Sequence, residues 1–190
     1  MKKIILASAS PRRKELLEKA GLKFEIVESR VDEHLDIKLE PHTFVKKLSL
    51  RKAKAVYENN KNAIIIAADT VVFHSGKILG KPKDKKDAKE MLELLSGQRH
   101  FVITGFTIID TSLKKPITKS EETKVFMRKI TPEEIEDYIL TKEPYDKAGA
   151  YAIQGIAGKF IEKIEGDLNS AIGLPIASLL KELEKLNVKI

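Results

Sequence analysis

The segment from Ala63 to Phe73, AIIIAADTVVF, constrains this chain more than any other. It is nearly all apolar and rich in β-branched residues, without the polar alternation of a half-exposed strand, so it reads as a central strand covered on both faces. Such a strand needs a layer above and a layer below, which points to an α/β architecture. One carboxylate, Asp69, interrupts it. Burying an unpaired charge is costly enough that Asp69 requires a metal, a cation or a catalytic role, unless it caps a turn or pairs with a nearby lysine.

The flanking sequence supplies the layers. Lys2 to Ala7 has the pattern of a short buried strand and Pro11 to Ala20 that of a helix, with Ser10 suited to the cap, Pro11 to the first helical position and Gly21 to the stop. Leu22 to Val27 reads as a second strand. Thr43 to Tyr57 reads as a helix in which Val45, Leu48, Ala55 and Val56 share an apolar face, and Lys52 falls near the middle of that face. A lysine so placed needs a partner, or else it snorkels to the edge.

Asp84 opens a helix with Ala88, Met91, Leu92 and Leu95 on one side, and Gly97 ends it. Phe101 to Ile109 and Ile117 to Met127 read as long strands joined around Lys114, Lys115 and Pro116. Thr131 to Glu134 is a capping box opening a short helix. Lys159 to Ile164 is strand-like, and a last helix runs from about Pro175 to Leu186. The adjacent strand pair breaks strict alternation, so the expectation is a mixed central β-sheet flanked by helices, in a single domain spanning 1–190.

With 190 residues, 42% of them hydrophobic, the chain has material for a sizeable core. It has no cysteine, so disulfides and thiolate metal sites are excluded, and a reducing cytoplasmic setting is the expectation. Its four histidines, at 34, 42, 74 and 100, do not form a zinc pattern and read as structural or exposed. The opening MKKIILASAS imitates a secretory leader, but the apolar run Ile4 to Ala7 falls short of the roughly 7–15 residues such a leader needs. No stretch approaches the roughly 20 apolar residues that span a bilayer, so no membrane partner is expected.

The net charge of +7 and pI near 9.3 favour phosphorylated small molecules, nucleic acid or anionic lipid. The lysines are spread along the chain, with no arginine-rich tail and no basic segment interleaved with aromatics, so no stable nucleic-acid partner is expected.

Four places carry candidate chemistry. In SASPRRKELL, Ser8 to Leu17, a strand hands over to a helix whose N-terminus attracts anions; Ser8 and Ser10 add hydroxyls, and Arg12 and Arg13 add forked donors that suit phosphate oxygens. Two arginines at a helix start oppose the dipole, so either they reach into solvent or an anion sits among them. The second place is Asp69, with Lys81 in the rigid turn Gly80-Lys81-Pro82 downstream; Lys52, on its helix face, is a separate signal. Val31-Asp32-Glu33-His34 is either a solvated loop or, with Asp69, a source of oxygen ligands for a hard divalent cation. In EPYDKAGAYAIQG, Glu143 to Gly155, small residues permit close backbone approach, and Gln154 offers a donor beside an acceptor, matching N3–H and O4 of uracil or thymine. A flipped amide suits cytosine instead, so discrimination needs neighbours that fix its orientation.

Taken together, SASPRRKELL, AADTVV, GKPKD, LSGQRHFVITG, EPYDKAGAYAIQG and GLP resemble the Maf family of nucleoside triphosphate pyrophosphatases, in order and nearly end to end. EPYDKAGAYAIQG is similar to the subgroup acting on dTTP and UTP rather than to the one acting on 7-methyl-GTP. The resemblance implies an ITPase-like, two-lobed fold with a cleft, commonly dimeric. It also implies hydrolysis of a nucleoside triphosphate to monophosphate and pyrophosphate, with a divalent cation, Mg²⁺ or Mn²⁺. By this likeness Asp69 is the proton acceptor, and Arg12, Thr70 and Gln154 are the substrate-specificity positions. Ser8, Arg13, Lys52 and Lys81 complete a phosphate pocket, and Glu33 joins Asp69 as a metal ligand. A different class of function, also associated with the family, is a nucleotide-sensing regulator of septum formation; turnover separates the two.

Overall fold

The computed structural model describes residues 2–33, 39–113 and 115–188. The expected central strand is β3 (Ala63–His74), with β1 (Lys3–Leu6) and β2 (Glu25–Ile26) before it and β4 (Lys77–Leu79), β5 (Arg99–Asp110), β6 (Pro116–Met127) and β7 (Ile161–Glu165) after it. The strands form one sheet in the order β2-β1-β3-β5-β6-β7, with β4 also paired to β3. β1 runs parallel to β2 and β3, whereas β3 with β4 and β6 with β7 are antiparallel, so the sheet is mixed, as anticipated. The helices are α1 (Pro11–Lys19), α2 (Pro41–Tyr57), α3 (Lys85–Leu95), α4 (Pro132–Ile139), α5 (Leu168–Ile172) and α6 (Ile176–Lys185). None of the described helices is long and apolar enough to cross a membrane.

The chain divides into two compact units, and β3, β5 and β6 each contribute residues to both. The first comprises 1–69, 104–121 and 173–190. Here β1 and β3 align with Ile4 opposite Ile64 and Leu6 opposite Ile66, and the Ala7 N–H continues the ladder to the Ile66 carbonyl at 2.7 Å. Side chains alternate along a strand, so Ala63, Ile65 and Ala67 share one face, and that face packs on Ala53 and Val56 of α2. The same alternation puts Asp69 in the row that faces α2.

α2 begins two residues before the expected Thr43. Pro41 occupies the first turn, and the Glu40 carboxylate accepts the N–H groups of His42 at 3.1 Å and Thr43 at 2.9 Å. Burial raises the Glu40 pKa, but the two backbone hydrogen bonds outweigh it and hold the carboxyl below its ordinary range. The buried face uses Ala53 rather than the half-buried Ala55. Close approach of α2 to the sheet depends on Gly105 in β5, where a Cβ would lie 2.7 Å from the carbonyl carbon and oxygen of Val45.

The second unit comprises 70–103 and 122–172. Asp84 caps α3 as expected, and the capping box of Thr131 and Glu134 forms at the start of α4. Ala88, Leu92 and Leu95 of α3 pack in one cluster with Ile135, Tyr138 and Ile139 of α4. Lys89 donates to Glu136 at 2.5 Å and ties the two helices. His100, wholly buried in β5, meets the Tyr151 hydroxyl at 2.6 Å, ring edge to ring face.

Several local expectations needed revision. Ser10 stands at the N-cap of α1, but its side chain does not cap; its own N–H donates to Ser8 Oγ at 3.2 Å. β2 shrinks to two exposed residues at the sheet edge. β4, entered through Ser75 (φ 48) and Gly76 (φ 77), and the five-residue α5 were not anticipated, both being too short to show a period. Lys114, in the expected hairpin connection, lies outside the described residues.

Gly105→Ala should destabilise the protein by about 1–3 kcal/mol, since the backbone of α2 must shift to admit a methyl group; urea unfolding monitored by circular dichroism would measure this. Burial, reinforced by the charge of His74, lowers the His100 pKa to about 4, below the ordinary value of 6.5. Between those values the unfolded chain binds the extra proton, so stability should rise with pH through the window and fall on acidification, by on the order of 3 kcal/mol in all. Thermal unfolding from pH 7 down to pH 4.5 should show this slope, and His100→Gln should flatten it.

Candidate active site

Lys52 and Asp69 meet inside the apolar rows of α2 and β3, each interrupting its row. Lys52 lies one turn after Leu48 and one turn before Val56, both buried, and is itself only 6% exposed. Asp69 is 7% exposed. Lys52 Nζ donates to Asp69 Oδ1 at 2.6 Å and stands 2.7 Å from Glu33 Oε1, so one ammonium bridges two carboxylates. Its neighbour on α2, Arg51, donates to the Asp32 carbonyl at 2.8 Å and thereby fixes the segment that carries Glu33. The snorkelling alternative for Lys52 is therefore discarded. The carboxylates offset the desolvation of a buried ammonium, which otherwise costs several kcal/mol.

The strand-to-helix junction adds donors to the same unit. Ser8, buried, lies two residues past the end of β1, and its Oγ accepts from the Ser10 N–H and from Arg13 Nη1 at 3.1 Å. Arg13 Nε donates to the Gly173 carbonyl at 2.9 Å. Burial lowers the Arg13 pKa, the negative charge of Asp69 opposes that, Arg12 lowers it further and Glu33 opposes it again, so Asp69, Arg12 and Glu33 all lie within Coulombic reach of Arg13. An arginine stays protonated at any working pH, so Arg13 and Lys52 bring two positive charges to the two carboxylates, with Arg12 beside Arg13 in the first turn of α1. Thr70, half-buried, follows Asp69 on β3.

Lys81 and Gln154 belong to the second unit, and both are exposed. Near Lys81 the Gly149 N–H donates to the Gly80 carbonyl at 3.0 Å. Gly149, with φ 68, lies against β3, where a Cβ would stand 2.8 Å from Val72 Cγ2. The glycines of AGAYAIQG thus serve close backbone packing. Of the histidines read as structural or exposed, His100 is buried on Tyr151, His42 Nδ1 lies 3.1 Å from Ser120 Oγ and His74 Nδ1 lies 3.0 Å from the Arg99 carbonyl. His34 lies outside the described residues.

Among the described residues, no group of three or more acidic or histidine side chains is placed to hold a metal. Asp69 and Glu33 nevertheless converge on a single cationic point, Lys52 Nζ. Two carboxylates are the protein share that Mg²⁺ takes when phosphate oxygens and water fill its other positions. The donor set therefore fits a divalent ion that arrives with a phosphate chain.

The fold is that of the Ham1 proteins. A Ham1 protein from Coxiella burnetii superposes with a TM-score of 0.57 at 13% identity, covering 98% of this chain and 99% of that one. The Ham1 protein of Staphylococcus aureus gives 0.52 at 12% identity, covering 97% and 100%. Within this α/β class the chain belongs to the Maf family: the family profile, described as Maf-like protein, matches residues 3–186. A relative from Bacillus cereus strain G9842, named dTTP/UTP pyrophosphatase, is 50% identical over 190 residues, covering 100% of this chain and 98% of its own. Another of that name, from Bacillus cereus strain ATCC 10987, is 51% identical with 100% and 93% covered.

Lys52→Met should lower stability by about 3 kcal/mol, near the lower end for a broken buried pair because Glu33 keeps contact with solvent. Asp69→Asn added to it should recover part of that loss, and urea titrations of the three proteins would test both statements.

Proposed function

We propose that this Maf-family chain is a hydrolase that cleaves nucleoside triphosphates between the α- and β-phosphates, with dTTP and UTP as its substrates and modified pyrimidine nucleotides among its targets. The observation that carries this reading is the buried Lys52–Asp69 pair at 2.6 Å, set among Arg12, Arg13 and Ser8, in a chain half identical to proteins named for that reaction. An acid held beside cations in this way suits the removal of a proton from water next to a phosphate chain.

In the proposed chemistry Asp69 takes a proton from water as its oxygen attacks the α-phosphorus. The bond to the bridging oxygen breaks, and pyrophosphate leaves with the electron pair. Arg12, Arg13, Ser8, Lys52 and Lys81 supply donors to the phosphate oxygens and balance the charge that builds on the leaving group. Glu33 and Asp69 would hold the divalent cation, Mg²⁺ or Mn²⁺, whose chemistry is to polarise the phosphoryl oxygens. Lys52, 2.6 Å from Asp69 Oδ1, keeps the carboxylate aimed. Gln154 presents its amide to the base edge, and Thr70 and Arg12 complete the selection of substrate.

Incubation with a panel of triphosphates and Mg²⁺ or Mn²⁺ should release pyrophosphate from dTTP and UTP and much less from GTP. Asp69→Asn should reduce turnover by roughly 10²–10⁴-fold while the protein stays folded, the span expected for loss of a positioned general base. Nucleotide binding without turnover of any member of the panel would replace the enzyme with the nucleotide-sensing regulator.

A further inference from the structure

Glu143 is an acid that the proposed chemistry leaves unused, yet it is the hub of the segment next to Gln154. It is half-buried, just ahead of the 3-10 turn Pro144–Asp146. Its Oε1 accepts from the Tyr138 hydroxyl at 3.0 Å and from the Ala157 N–H at 3.1 Å, and its Oε2 accepts from the Ile156 N–H at 3.0 Å. The two amides open a second 3-10 turn, Ile156–Phe160. An ionised acceptor makes these bonds charge-assisted and stronger than neutral ones.

Gly155 stands between those amides and Gln154. Its φ is 152, and a Cβ there would press on the Glu143 carboxylate, 2.7 Å from Cδ. The carboxylate therefore fills the space that any other residue at 155 would need. Tyr138, 2% exposed in α4, packs edge-on against Phe160 at 5.6 Å between ring centres, and Phe160 ends the turn that Glu143 begins. Burial, then the charge of Glu143, raises the Tyr138 phenol well above its ordinary range, so it remains a donor. The turn is thus tied to α4 at both ends, by an ion-assisted clamp and by an aromatic pair.

We propose that Glu143 is a positioning residue for base recognition: by clamping the Ile156 and Ala157 amides it fixes the backbone from which Gln154 projects, and so tunes uracil and thymine binding without touching the nucleotide. This rests on the reading of Gln154 as the base-contacting amide. Glu143 preorganises that amide, so its loss is felt by ligands that carry a base and not by those that are phosphate alone.

The test compares Glu143→Ala, Gln154→Ala and the double variant with the parent protein, using UTP hydrolysis and inhibition by inorganic tripolyphosphate, which has the phosphates and no base. Each single variant should raise KM for UTP by roughly tenfold, with a smaller fall in kcat, and should leave the tripolyphosphate inhibition constant within about twofold. The double variant should be no worse than Gln154→Ala alone, because both changes remove the same contact. Glu143→Gln, which keeps the shape and one acceptor oxygen, should be intermediate, and it carries the comparison if the alanine variant does not fold. Equal losses for UTP and tripolyphosphate, or additive losses in the double variant, overturn the proposal and leave Glu143 a support of the fold. If Gln154→Ala alone leaves UTP unaffected, the base-reading role of Gln154 fails and the positioning role fails with it. If the protein binds UTP without turnover, calorimetric affinities for UTP and tripolyphosphate replace KM in the same comparison.

Discussion

One ammonium group bridging two carboxylates sets the terms for everything around it. Lys52 reaches Asp69 from the apolar face of α2, and Glu33 reaches the same nitrogen from a loop. The charge of Lys52 or of Asp69 alone would be a liability in so apolar a setting. Together they form a site held in place by its own electrostatics, and the helix that carries Lys52 lies close enough to β5 to need a glycine at 105. The buried row of β3 is apolar on both sides of Asp69, at Ala63, Ile65 and Ala67 before it and at Val71 after it.

Much of this could be read from the residues. The long apolar run of β3 and the lysine in the middle of an amphipathic face were both legible, because burying a charge in such a pattern is physically hard to explain away. That the two belong to each other followed only from the fold, since pairing across 17 positions leaves no local signature. Capped helices were legible where the cap was a side chain three residues from its partner, as at Thr131 and Glu134. The start of α2 was misplaced because the capping group is a glutamate ahead of a proline. The cap expected of Ser10 is not made, and Ser10's own N–H donates to Ser8 two residues earlier.

Glu143 shows the same limit within the candidate site. It sits inside a distinctive motif and was named with it, but its partners are backbone amides 13 and 14 residues away and a phenol on another helix. Backbone groups carry no sequence label, so no pattern of residue types announces them. The signal that was available is Gly155, a glycine at a position where the fold needs both an unusual φ and an empty Cβ. Arg51 is a second case: its contact with the Asp32 carbonyl supports Glu33 and is equally silent in the sequence.

The hydroxyl of Ser8 accepts two hydrogen bonds, from the Ser10 N–H and from Arg13, and so has only its own proton left to offer. The junction is thereby polarised in one sense. With both lone pairs of that oxygen engaged, the strand-to-helix corner offers a hydrogen outward and has no acceptor left to give.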